Sequence, residues 1–192
     1  MNFKITENEG LKYSKISGDY NKIHIDKKTG YNSIFGEKIC HGTLVITKIF
    51  KLINFEKIIK NQKKFSIDIK FFKHLKYCCE ISIIKKKNIC HIFQENQKKL
   101  ELKIIKSNSY KFKDFYKKKK LTSFNNIYLN KESKIKNIYN LLNNISKYVG
   151  TIYPGENSLI KRININFNGY LNFRNKKIEI LSKKIDPRLP II

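Results

Sequence analysis

Apolar and polar positions follow two periods along this chain. Over 43–60 (TLVITKIFKLINFEKIIK), Leu44, Val45, Ile49, Leu52, Ile53 and Ile59 fall near a helical spacing. That spacing predicts a helix over 43–60. Most of its surface is apolar, so the helix is expected to be buried. The period then drops to two. In FSIDIKFF, Phe65, Ile67, Ile69 and Phe71 share one face, as in a strand. Short strand-like runs follow at Glu80–Ile84, Ile89–Phe93 and Leu100–Ile105, with Lys85–Asn88 as a turn between two of them. A helix followed by an antiparallel meander is an α+β arrangement. Upstream, residues 12–42 are dense in Gly, Asn, Asp and His and read as loops with short helical pieces.

The same order then recurs in shorter form. Residues 107–123 carry the run Lys117–Lys120, which reads as a solvated linker. Residues 132–149 read as a helix with Ile135, Ile138, Leu141, Leu142 and Ile145 on one side, and Gly150 is placed as its C-cap. Tyr153-Pro154-Gly155 signals a turn. Leu159–Phe167 and Lys176–Leu181 read as strands. The expected organisation is therefore a unit over 1–106, a lysine-rich linker over 107–123, and a second, partial unit over 124–192.

Composition changes this picture less than its charge suggests. The 192 residues hold 41 Lys+Arg against 15 Asp+Glu, a net charge of +26. With 41% hydrophobic and 12% aromatic residues, the chain can build a core, which excludes a disordered basic tail. Only Arg162, Arg174 and Arg188 are arginines, so 38 of the 41 basic residues are lysine, and alanine and tryptophan are absent. Nucleic-acid readers favour Arg for bidentate contacts. The Lys, Ile, Asn, Phe and Tyr excess instead follows A/T-rich codons, so no specific nucleic-acid partner is expected. Met1–Ser17 hold no apolar signal core and no run is long enough to span a bilayer, so the expectation is a cytoplasmic protein. Cys40, Cys78, Cys79 and Cys90 form no CxxC, and no metal site is expected.

The chemistry is concentrated in Ser17–Leu44, SGDYNKIHIDKKTGYNSIFGEKICHGTL. Asp19 and His24 offer a carboxylate and an imidazole, which together can hold and activate one water. His41-Gly42 stands immediately before the predicted buried helix. A helix N-terminus presents unpaired N–H groups, so the Gly42 N–H is a candidate donor to a carbonyl oxygen. Taken alone, Asp19 reads as a turn residue and His24 as a core histidine. Together with Gly42 they read as a site. Asp26 is expected to support the loop and His41 to hold or pack it, while His74 and His91, in strand-like segments, are read as structural. Cys40 beside His41 is not read as a nucleophile.

This stretch resembles the signature of the MaoC-like (R)-specific enoyl-thioester hydratases, approximately SGDxNPxHxDxxxAxxxxFGxPxxHGM. The match is ungapped at Ser17, Gly18, Asp19, Asn21, His24, Asp26, Phe35, Gly36, His41 and Gly42. Tyr148-Val149-Gly150-Thr151, followed by Pro154-Gly155 and Ser158, is a weaker resemblance to the end of the family's central helix and the loop after it. The resemblance implies a hot-dog fold, a curved antiparallel sheet wrapped round a central helix, here a double hot-dog with a short second half. It implies Asp19 and His24 as the water-activating pair and Gly42 as donor to the thioester oxygen. Asn21, Ser17, Gly18 and His41 would support them. The reaction implied is reversible hydration of a trans-2-enoyl thioester to the (R)-3-hydroxyacyl thioester. The substrate would ride on coenzyme A or acyl carrier protein, with no separate cofactor, and the site would be completed in a homodimer or by a partner hot-dog subunit. Lys22 and Lys38 replace two usual prolines, Gly30 a usual alanine and Thr43 a usual methionine. Phe50 stands near a position often small or hydroxylated, which implies loss of a supporting hydrogen bond. Other acyl-thioester chemistry, thioester cleavage or plain acyl binding, is the alternative on the same fold. A basic nucleic-acid binder ranks below both.

Overall fold

The computed structural model describes residues 1–62, 64–105, 122–124, 133–152, 155, 158–168 and 178–180. The chain opens with strand β1 (Asn2–Phe3) and helix α1 (Glu7–Ser17). Helix α1 begins in a capping box: Thr6 accepts from the Glu9 N–H while the Glu9 carboxylate accepts from the Thr6 N–H. Two short helices follow, α2 (Lys22–Ile25) and α3 (Lys27–Asn32).

The helix expected over 43–60 is two helices, α4 (Gly42–Leu52) and α5 (Phe55–Ile59). The break falls at Asn54, whose φ of 51° lies in the left-handed region that asparagine tolerates better than most residues. The apolar period runs across the break because both helices face one core.

Strands β2 (Lys64–Phe71), β3 (Ile81–Lys86), β4 (Ile89–Gln94) and β5 (Gln97–Ile105) match the period-two runs. His74 lies between β2 and β3 rather than in a strand. Helix α6 (Lys134–Lys147) runs into a π turn (Tyr148–Ile152), then strand β7 (Arg162–Asn168). Among the described residues, the main sheet has six strands in the order β1-β3-β4-β5-β2-β7, and every pairing is antiparallel. Strands β6 (Thr122–Phe124) and β8 (Ile178–Ile180) form a separate two-stranded sheet. Most of the expected 107–123 linker, including Lys117–Lys120, lies outside the described residues, as do Tyr153 and Pro154.

One apolar face of the sheet packs on α4. Phe65, Ile67 and Ile69 of β2, Ile81 and Ile83 of β3, Cys90 and Ile92 of β4, and Leu100, Leu102 and Ile104 of β5 share a core with Val45, Ile46, Ile49 and Phe50. This central helix against an antiparallel sheet is the hot-dog fold. Helix α6 adds Ile138 and Leu142, and β7 adds Ile163 and Ile165, to that same core. Strand β7 pairs with β2 from Lys64↔Asn168 to Lys70↔Arg162. Among the described residues, no helix is long and apolar enough to cross a membrane.

Candidate active site

The end of α1 sets the site. Gly18 closes the helix with φ 74°, donating its N–H to the Ser14 carbonyl at 2.8 Å. Few residues other than glycine accept that conformation, and it turns the chain so that Asp19 points inward. The Ser17 hydroxyl donates to the Tyr13 carbonyl (2.8 Å) and accepts from the Asp19 N–H (3.2 Å). Asp19 Oδ1 accepts from the Asn21 N–H at 3.1 Å, and the Asn21 side chain caps α2 by accepting from the Ile23 N–H at 3.4 Å. Asp19 and Asn21 are 3% and 0% exposed, so a charged group and an amide have been placed in the interior for a reason beyond solubility.

His24 sits on α2 with its Nδ1 2.9 Å from the Ile39 carbonyl oxygen. A carbonyl only accepts, so Nδ1 carries the proton and Nε2 of the neutral ring carries the lone pair. Burial pushes the His24 pKa below its ordinary value, against the opposing pull of the Asp19 charge and the Ile39 bond. A neutral His24 with an available Nε2 is a base.

His41 is different. Its Nε2 lies 3.2 Å from Ser14 Oγ and 3.4 Å from the Asp19 carbonyl, and its Nδ1 lies 3.2 Å from Tyr77 Oη. The Ser14 proton is already given to the Gly10 carbonyl at 3.1 Å, so His41 Nε2–H is the donor to Ser14 and Asp19. Tyr77, whose pKa is raised by burial, keeps its proton and donates it to Nδ1. The ring is thus pinned at both nitrogens, with its pKa pushed down to about 2 by burial and by the neighbouring His24. It stacks on His24 with centroids 4.1 Å apart. These contacts tie the ring to α1, to the Asp19 backbone and to Tyr77. Gly10 of α1 admits the tyrosine, since a Cβ there would stand 2.3 Å from the Tyr77 hydroxyl.

One ligating atom each from Asp19, His24 and His41 lies within 4.8 Å of the other two. Two imidazoles and a carboxylate are metal-ligand types. Here both His41 nitrogens and His24 Nδ1 are engaged in hydrogen bonds within the protein. The set therefore does not fit a metal without dismantling the loop.

Gly42 is the first residue of α4, following His41 in the chain. A Cβ at Gly42 would stand 2.8 Å from the Phe71 ring, so glycine lets an aromatic wall close on the helix start. Asp26 is exposed and caps α3, accepting from the Thr29 N–H at 2.7 Å, the structural part expected of it. Gly30 is required by packing: a Cβ would meet the Lys38 backbone nitrogen at 2.7 Å. Cys40 is buried, and burial raises its pKa, away from nucleophilic use.

Helix α6 also reaches the site. Ser146 Oγ donates to Asp19 Oδ2 at 2.6 Å, and Thr43 Oγ1 donates to Ser146 Oγ at 2.9 Å. Asp19 Oδ2 thus has its hydroxyl partner on α6. Phe50 itself stacks on Phe55 in the core, centroids 4.2 Å apart. Gly150, expected as the C-cap of the helix, has no positive φ and lies inside the π turn. A Cβ there would be 2.0 Å from Asp19 Oδ1. Ile138, Leu142, Ser146 and Gly150 recur every four residues on the buried face, a spacing that signals a close approach by a small pair but not what it approaches.

Residues 2–73 match the family described as MaoC like domain. No curated protein matches the chain. Among solved structures, one described as a monoamine oxidase regulatory protein from Archaeoglobus fulgius is 15% identical, with 56% of this chain and 86% of that one covered, at a TM-score of 0.44. An (R)-hydratase from A. caviae involved in PHA biosynthesis is 16% identical, over 55% and 90% of the two chains, at 0.44. An R-hydratase from Pseudomonas aeruginosa is 21% identical, over 55% and 77%, at 0.37. The matched residues run from β1 through β2 and hold Asp19, His24 and Gly42, so the segment that builds the site is the one similar to the MaoC-like family.

Proposed function

We propose that this protein reversibly hydrates trans-2-enoyl thioesters to (R)-3-hydroxyacyl thioesters. The observation that carries the proposal is the convergence of the buried Asp19 carboxylate with a neutral His24 whose proton is fixed on Nδ1. Water held between them loses a proton to His24 Nε2 as its oxygen bonds to C3. The C2=C3 electron pair moves toward the thioester oxygen, which the Gly42 N–H steadies at the start of α4. C2 then takes a proton back from the pair. The sum adds one hydroxyl at C3 and one hydrogen at C2. No separate cofactor takes part, because the substrate brings its own phosphopantetheine arm. Coenzyme A and carrier proteins are both anionic, and a chain of +26 would steer either inward.

The test is loss of enoyl-thioester absorbance with crotonyl-CoA and with longer enoyl-CoA substrates. Wild type should hydrate at least one of them, and Asp19→Asn should lose on the order of 100-fold or more, the scale of removing one acid–base group. Equal rates in wild type and Asp19→Asn would remove Asp19 from the mechanism. Release of free thiol without hydration would favour thioester cleavage instead.

A further inference from the structure

We infer that Ser146 is a positioning residue for Asp19, and that the α6–π-turn segment is therefore part of the active site rather than a neighbouring, inert half. The inference deepens the hydratase reading and rests on it for its kinetic arm.

The hydroxyl chain has a fixed direction. An ionised carboxylate only accepts, so the Ser146 proton goes to Asp19 Oδ2 (2.6 Å). Ser146 has no second proton, so Thr43 donates to it (2.9 Å). The Tyr13 ring lies beside His41, and its hydroxyl lies beside Thr43 and Ser146. Ser146, Thr43 and Asp19 are 3%, 0% and 3% exposed, so bulk solvent does not compete for these bonds. With Oδ1 on the Asn21 N–H and Oδ2 on Ser146, both carboxylate oxygens are tied and the group cannot rotate about its χ2 axis. The backbone of the π turn packs on the same carboxylate, and only glycine at 150 leaves room for it. π turns are uncommon and concentrate at functional sites. Here the wider turn places Gly150 against Asp19.

Two residues from one segment thus bear on one carboxylate, Ser146 at Oδ2 and Gly150 at Oδ1.

The test uses the full chain with Ser146→Ala and Ser146→Thr. Steady-state hydration should show kcat reduced by about 10- to 100-fold in Ser146→Ala, the scale of a misplaced reacting group, with KM within about two-fold. Ser146→Thr keeps the hydroxyl and should recover most of kcat. A purely structural role would lower the folded fraction without this kcat-against-KM split. The second readout needs no substrate: hydrogen exchange of the Asn21 amide, which reports whether Asp19 Oδ1 stays in place. It should speed up in Ser146→Ala and return in Ser146→Thr. If kcat and Asn21 exchange both stay at wild-type values in Ser146→Ala, the inference is overturned. If Asn21 exchange responds but wild type hydrates nothing, Ser146 still positions Asp19 and the hydratase reading fails instead.

Discussion

Replacing His41 with phenylalanine separates its role as a pin from the role proposed for its stacked neighbour His24. Phenylalanine nearly conserves the ring volume and the stacking at 4.1 Å, so little cavity is created. What disappears is polar. The Tyr77 hydroxyl loses its acceptor and the Asp19 carbonyl loses a donor, in residues 6% and 3% exposed. Ser14 still bonds Gly10 and is not orphaned. An orphaned buried polar group costs roughly 1–3 kcal/mol, so two cost about 4 kcal/mol at neutral pH. At roughly 2–4 °C per kcal/mol for a chain of this size, the melting temperature should fall by about 8–16 °C. The pH dependence sharpens the test. His41 has an ordinary pKa of 6.5, lowered to about 2 in the fold. Below pH 6.5 the unfolded chain takes a proton at this site and the native state does not. Stability held above that pH is therefore lost as pH falls toward the folded value, at about 1.4 kcal/mol per unit. His41→Phe removes this titration. The gap between wild type and variant should shrink from about 4 kcal/mol at pH 7.5 to about 1 kcal/mol near pH 4.5. Urea denaturation at both pH values measures it. A gap that is the same at both, or below about 1 kcal/mol at neutral pH, would refute the pinned neutral ring.

Three further outcomes follow from single contacts. His24→Gln should lower hydration by about 100-fold or more while leaving the circular dichroism spectrum unchanged, since the ring acts through Nε2. Gly30→Ala should destabilise by about 1–3 kcal/mol in urea, because its Cβ meets backbone rather than a movable side chain. Asp68, 3% exposed, accepts from Arg162 Nε and NH2 at 2.7 and 2.8 Å across β2 and β7. Arg162→Met should therefore cost about 3 kcal/mol by leaving a buried carboxylate, and Arg162→Lys should not recover it, having no planar fork.

Much of this was legible in the chain because one motif carried it. SGD ends a helix, turns on a left-handed glycine and buries an acid, all within three residues. The strands of the meander were legible because alternation has a single structural meaning when one face is buried. The break at Asn54 was not, since apolar spacing records which face is buried and not whether the backbone is continuous. Ser146 lies 127 residues from Asp19, and no local pattern relates a serine on one helix to an acid on another loop. The glycine at 150 was read from its position at a helix end, where a C-cap is the usual use. Its actual use is to make space, which depends on what packs against it.

The most direct measurement is the product formed from crotonyl-CoA in oxygen-18 water. The account predicts (R)-3-hydroxybutyryl-CoA labelled at the C3 oxygen, with the thioester intact, and formed on the order of 100-fold or more slowly by Asp19→Asn. Free coenzyme A with label in the carboxylate, or labelled product from Asp19→Asn at the wild-type rate, would contradict it.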